Sequence, residues 1–174
     1  MYGIAFTALE RDHAQVDVVR RFGGKAYYSD PTRPDMLRAA GIEQAKLIVI
    51  VLDDMEAVLR TVETVKRTFP HVTILARARN RRHAHLLMDR GVDGLVRDTF
   101  HSSLKLAELS LMSLGIGKDA AARAVSLFQE HDERQLAATH AIYRDETQLI
   151  QNAQQAADEL ASLFEADKTR GKRQ

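Results

Sequence analysis

Short apolar runs alternate through the first hundred residues with longer stretches whose apolar positions recur every three or four residues. The runs are GIAFTALE (3–10), AYYS (26–29), AKLIVIVL (45–52), HVTILARA (71–78) and a weaker DGLVR (93–97). The stretches between them predict amphipathic helices over 12–22, with Val16, Val19 and Phe22 on one side; over 34–40; over 54–68, with Ala57, Val58, Thr61, Val62 and Val65; and over 80–90, with Leu86 and Leu87. Pro34 suits a first helical turn, and Gly23, Gly24, Gly41 and Gly91 stand where helices should stop. Strand, helix, strand, helix is the signature of parallel βαβ units. LIVIVL, residues 47–52, has no polar alternation, which predicts a strand covered by helices on both faces. Asp53 and Asp54 behind it favour that strand over a turn of buried helix.

After Arg97 the pattern changes. DTFHSSLKLAELSLMSLGIG predicts one long helix from about Thr99 to Gly115, and no strand follows. Within it Leu104, Ala107, Leu111 and Leu114 form an apolar stripe, which Leu106 and Leu109 widen beyond what one covered sheet face needs, so this helix is expected to pack against a second copy of the chain. The remaining residues are rich in Ala, Gln and Glu, with Leu149, Ala153, Leu160 and Leu163 near heptad spacing over too short a span for a true coiled coil. The expected organisation is a parallel α/β domain over 1–98, a helical dimerisation or accessory region over 99–165 and a basic disordered tail over 166–174.

Composition narrows the chemistry. At 174 residues with 45% hydrophobic and 28% charged positions, the chain suits a globular domain with an appendage, and its net charge of +1 gives no general attraction to nucleic acid. The absence of cysteine excludes disulfides, a thiolate nucleophile and Cys-type zinc sites. No apolar run approaches the roughly 20 residues that cross a bilayer, and no signal peptide opens the chain. His83 and His85, two apart on a helix, point in different directions, and His13, His71, His101, His131 and His140 are scattered, so no metal site is expected. With no GxSxG, no HExxH and no nucleophile beside a base, no catalytic residue is expected either. The arginine-rich segment RARNRRHAHLLMDR is read as a solvated helix face.

In open parallel sheets ligands bind beyond the carboxyl ends of the strands, and here those ends are polar throughout. Glu10 and Asp12 follow the first run; Asp30, Thr32 and Arg33 the second; Asp53 and Asp54 the third; Arg77, Arg79 and Asn80 the fourth; Arg97 and Thr99 the fifth. A carboxylate at the position of Glu10 can accept both hydroxyls of a ribose, but it can equally cap the helix that follows, and on position alone capping is the simpler account. Asp30 and Thr32 can grip the edge of a purine or cap the helix at Pro34, and the residues leave that choice open. Arg33 opposes the dipole of the helix it precedes, and together with Arg97 it suggests a nearby anion.

The segments YYSDPTRPDMLRAAGIEQAKLIVIVLDD, FPHVTILARARN, GVDGLVRDTF and LSLMSLGIG closely resemble the cytoplasmic nucleotide-binding domain, called KTN, RCK-N or TrkA-N-like, of the glutathione-gated potassium-efflux systems known as Kef. The resemblance covers about residues 5–132. It implies a Rossmann-like doubly wound α/β fold that dimerises at the cytoplasmic face of the inner membrane, beneath a potassium–proton antiporter domain, and regulates it without being an enzyme. It further implies a bound adenine nucleotide, AMP or NAD(H), and glutathione as the regulatory ligand. By position Glu10 matches the ribose-binding acid, Asp30 and Thr32 the residues near adenine, and Arg33 and Arg97 the arginines that hold glutathione, on which both are expected to converge. Asp132 falls in the glutathione site where the family has an asparagine. The family's first strand and its GxGxxG turn, whose amides hold the phosphates, have no counterpart, so the resemblance implies a truncated fold. The inner edges left open are expected to be filled by collapse of the flanking strands onto each other, by a strand from another chain, or by aggregation, and nucleotide binding by the chain itself is expected to be poor. A fragment of a Rossmann-type NAD(P)-dependent oxidoreductase and a structural remnant without ligand are the alternatives.

Overall fold

The computed structural model describes residues 4–21 and 26–171, with side chains to Asp167. Five strands and seven α-helices follow in the order β1 (Ala8–Glu10), α1 (His13–Arg21), β2 (Ala26–Tyr28), α2 (Pro34–Ala39), β3 (Leu47–Ile50), α3 (Met55–Thr68), β4 (Thr73–Ala78), α4 (Arg81–Asp89), β5 (Gly94–Arg97), α5 (Asp98–Ser113), α6 (Lys118–Ala138) and α7 (Glu146–Gly171). The alternation read from the sequence is therefore present, though the strands are shorter than the apolar runs. Phe22, Gly23 and Gly24 lie outside the described residues. The chain divides into two compact units: 1–78 with 89–96, and 79–88 with 97–174. This differs from the single boundary expected at residue 98, because most of α4 belongs with the later helices.

In the first unit, β1 and β2 run parallel with Ala8 opposite Ala26, Leu9 opposite Tyr27 and Glu10 opposite Tyr28. β3 and β4 also run parallel, and β5 lies on the far side of β4. Among the described residues no ladder joins β1 to β3, so the strands form a pair and a triplet. This is the 3-2-1-4-5-6 order of a doubly wound sheet without its central strand. Direct collapse of the two flanking strands onto each other is not what the structure shows.

The core of this unit rests on α3. Asp54 opens the helix by accepting a hydrogen bond of 2.7 Å from the Ala57 N–H, and Ala57, Val58, Val62 and Val65 on one face are fully buried. Complete burial is worth about 1.5–3 kcal/mol for each valine. The opposite side of the triplet corrects the expectation for LIVIVL. Leu47, Val49 and Val51 are 45%, 58% and 57% exposed, the first two in register with exposed Thr73 and Leu75, whereas Ile50, Ile74 and Ala76 point inward. The run is apolar throughout, yet among the described residues only one face is covered. At the entry to β5 the Asp93 N–H donates to the Ile74 carbonyl while its carboxylate accepts from the Ile74 N–H at 2.7 Å, a side chain completing a ladder position. That bond, with Lys66 nearby, holds the Asp93 carboxyl below the usual range. At the next residue, Gly94, an added Cβ would stand 2.8 Å from Leu75 Cδ2, so a larger residue there would require the Leu75 side chain to shift.

In the second unit α5 packs on α6, and α6 on α7. Of the stripe expected to meet a second copy, Leu104 is buried inside the unit and Leu111 half-buried, because the 3.6-residue period turns both toward α6. Leu106, Leu109 and Met112 remain exposed, as does Leu114 at the helix end. On α7 the half-buried row is Leu149, Asn152, Ala156, Leu160 and Leu163, a 3.6 rather than heptad period that leaves Ala153 exposed. Helical backbone continues through the first part of the expected disordered tail to Gly171, since Ala, Asp, Lys and Arg offer no helix breaker before that glycine. The solvated face expected on α4 is present at Arg82 and Asp89, and the helix has a buried face as well. His83, Ala84, His85 and Leu87 are buried, and His85 stacks with His140 and Tyr143 at 5.8 and 5.0 Å between ring centroids.

Candidate functional site

Two polar constellations arise at strand ends, one in each unit. In the first unit the chain leaves β1 at Glu10, whose Oε1 accepts from the N–H groups of Arg11, at 2.6 Å, and Asp12, at 3.0 Å. Asp12 then accepts from the Ala14 N–H at 2.8 Å as α1 begins. Glu10 is thus folded over its own backbone, in the capping arrangement. Beside it, Tyr28 at the end of β2 stacks on His13 with centroids 3.5 Å apart.

The next turn carries the sharper geometry. Asp30 Oδ1 accepts from both the N–H of Thr32, at 3.0 Å, and its hydroxyl, at 2.8 Å. The Thr32 N–H, then burial, then its hydroxyl with Arg11 and Arg33 act on this carboxyl, and the net result is a pKa below the usual range. Asp30 is therefore a fixed carboxylate, and Thr32 positions it. Arg33 is the N-cap residue of α2 with no capping hydrogen bond from its side chain. Its guanidinium instead forks onto Asp35, with Nη2 to Oδ2 at 2.6 Å and Nε to Oδ1 at 3.2 Å. That pairing lowers the carboxyl of Asp35. Arg11, Tyr28, Ser29, Asp30, Arg33 and Met36 line a cavity of about 340 Å³. Ser29 is 8% exposed and its Oγ has no hydrogen-bond partner. This recess offers an aromatic ring, a fixed carboxylate, an unused hydroxyl and two cations. Tyr28, Ser29, Arg11 and Met36 were not among the site residues expected from sequence, although each lies within three positions of one that was.

In the second unit Arg97 is likewise the N-cap residue of a helix, α5, without a capping side-chain bond. There the likeness to Arg33 ends. Its side chain is 8% exposed, the guanidinium lies 3.8 Å over the Phe100 ring, and Nη2 donates to Asp132 Oδ2. The other oxygen of Asp132 accepts from Arg81 Nη1. Asp132 is thus clamped between two guanidinium groups contributed by residues 51 and 35 positions away in sequence. Arg81 was missed because it sits in the segment read as solvated, and no local signal names a partner so distant. Arg33 and Arg97, expected to converge, belong to different units. A larger cavity of about 520 Å³ near His131, Gln135 and Glu159 is lined by none of the expected residues. Among the described residues no group of three or more His, Asp or Glu could hold a metal, and no helix is long and apolar enough to cross a membrane.

Comparison with known proteins gives a consistent picture. Residues 2–98 match the TrkA-N domain, and residues 102–174 match the potassium efflux system KefB C-terminal domain. Among solved structures, the Kef C-terminal domain of Shewanella denitrificans in its AMP-bound form is 30% identical, with a TM-score of 0.69 over 79% of this chain and 98% of that one. The TrkA-N domain of the inner membrane protein ybaL from Escherichia coli is 21% identical, with a TM-score of 0.52 over 58% of this chain and 75% of that one. The NAD(P)-binding domain of an exopolyphosphatase-related protein from Archaeoglobus fulgidus is 17% identical, with a TM-score of 0.53 over 64% of this chain and 81% of that one. The last two likenesses show the Rossmann-like fold alone.

Proposed function

The chain belongs to the TrkA-N family and is a regulatory, non-enzymatic region of a Kef-type potassium-efflux system associated with a membrane transporter domain, and from that premise we propose that it responds to two small ligands, an adenine nucleotide and glutathione. The observation that carries the first is the recess around Asp30. The carboxylate, fixed by Thr32, is placed to accept the exocyclic amine of adenine, with the Ser29 hydroxyl free to bond and Tyr28 at its wall. The AMP-bound Shewanella relative supports this reading. Glu10 would exchange its backbone amides for ribose hydroxyls. The residues proposed for this ligand, Asp30 with Thr32 and Glu10, address base and ribose. Adenosine and AMP should therefore bind it weakly and within about threefold of each other by calorimetry, with Asp30→Ala removing both; AMP at least tenfold tighter than adenosine would contradict this division of labour.

The second ligand follows from Arg97. A buried guanidinium stacked on an aromatic ring and flanked by Arg81 suits one carboxylate of glutathione. Asp132, held between Arg97 and Arg81, completes the residues proposed for that ligand in the second unit. Binding on the cytoplasmic face of the inner membrane would link the thiol state of the cell to potassium–proton antiport. The active unit is proposed to be a homodimer, since exposed Leu106, Leu109, Met112 and Leu114 leave an apolar row along α5 and at its end that no other described residue covers. Light scattering should find a dimer, and Leu106→Asp with Leu109→Asp a monomer; a monomeric parent chain at high concentration would overturn it.

A further inference from the structure

Asp132 is the shared counter-ion of two arginines. Its oxygens accept separately from Arg97 and Arg81, whose side chains are 8% and 42% exposed, against 14% for Asp132 itself. Phe100 covers one face of the Arg97 guanidinium. Two cations and one anion, +2 − 1, leave the cluster with a formal charge of +1. A guanidinium binds a carboxylate best through its planar edge, and at Arg97 part of that edge is already taken.

We propose that Asp132 is a built-in occupant of the anion site, an inference that rests on the reading of Arg97 as a ligand-binding residue. Its carboxylate holds the position that a ligand carboxylate needs. A ligand gains affinity only by displacing Asp132 or by sharing Arg81 and Arg97 with it. Asp132 therefore sets the charge threshold of the site. A small monoanion exchanges one carboxylate for another and gains little, whereas a ligand bearing two anionic groups can use the uncompensated charge as well. Discrimination between dianions and monoanions is thus assigned to Asp132, while Arg97 supplies the binding itself.

Asp132→Asn keeps the volume of the side chain and raises the cluster to +2. In calorimetry on the full chain it should tighten glutathione at least tenfold and make acetate binding measurable, whereas Arg97→Ala should abolish glutathione binding in either background. If Asp132→Asn binds glutathione no more tightly than the parent while Arg97→Ala still abolishes binding, the built-in occupant is refuted and the glutathione site stands. If neither the parent nor Asp132→Asn binds glutathione, the reading of the site fails and the proposal fails with it. Should Asp132→Asn not fold, Arg81→Gln decides, because its partly exposed side chain is replaceable and its loss lowers the cluster to zero. It should weaken glutathione at least threefold, and an unchanged affinity would overturn the proposal.

Discussion

Arg33 and Arg97 occupy the same place in their local sequences, each following a strand and acting as the N-cap residue of a helix, yet they meet opposite environments. The side chain of Arg33 is 60% exposed and pairs with Asp35 two residues on. Arg97 is buried over Phe100 and pairs with Asp132, 35 residues away. An exposed pair close in sequence is screened by water and contributes little, whereas a buried charge depends wholly on its partner. The same residue type at the same kind of helix start is a surface decoration in one unit and a structural hinge of polarity in the other.

The largest way to test that contrast is Asp132→Ala, which leaves Arg97 buried without its counter-ion. Chemical denaturation should show a loss of roughly 3 kcal/mol or more, and a loss below about 1 kcal/mol would place Arg97 in solvent after all. Next comes Asp54→Ala, which removes the cap of α3 and should cost about 1 kcal/mol with no change in ligand binding. It calibrates what a local polar contact is worth in this chain.

Asp30→Asn sharpens the comparison through pH. A carboxyl whose folded pKa is depressed contributes stability that is fully present above its unfolded value of about 3.9 and is lost as pH falls through the folded value. The stability difference between parent and Asp30→Asn should therefore be flat from neutral pH to about 5 and shrink below about 4. A difference that shrank on raising the pH instead would contradict the hydrogen bonds from Thr32. The smallest effect belongs to Arg33→Ala, which should leave the melting temperature unchanged, since water already surrounds the pair with Asp35.

What the sequence disclosed follows the same division between near and far. The βαβ alternation and the carboxylate at Asp30 depend on residues within a few positions of one another, and both were readable; the caps at Asp54 and Asn80 are equally local, but in the sequence those residues read only as polar strand ends. Coverage of LIVIVL was misjudged because an apolar run says which residues avoid water, not whether a covering element is at hand. The stripe on α5 was read one side out, because nothing local distinguishes the leucines that α6 claims from those it leaves exposed. Arg81 and its bond to Asp132 were invisible for a stronger reason. The partners lie 51 residues apart, on helices whose mutual placement only the folded unit defines.

The central claim, that one unit reads an adenine nucleoside and the other an anion through Arg97, is tested most directly by amide chemical-shift mapping of the labelled chain. Adenosine should move the signals of Tyr28 to Met36, and glutathione those of Arg97, Phe100 and Asp132. Adenosine leaving Tyr28 to Met36 unmoved, or glutathione leaving Arg97, Phe100 and Asp132 unmoved, would contradict the account.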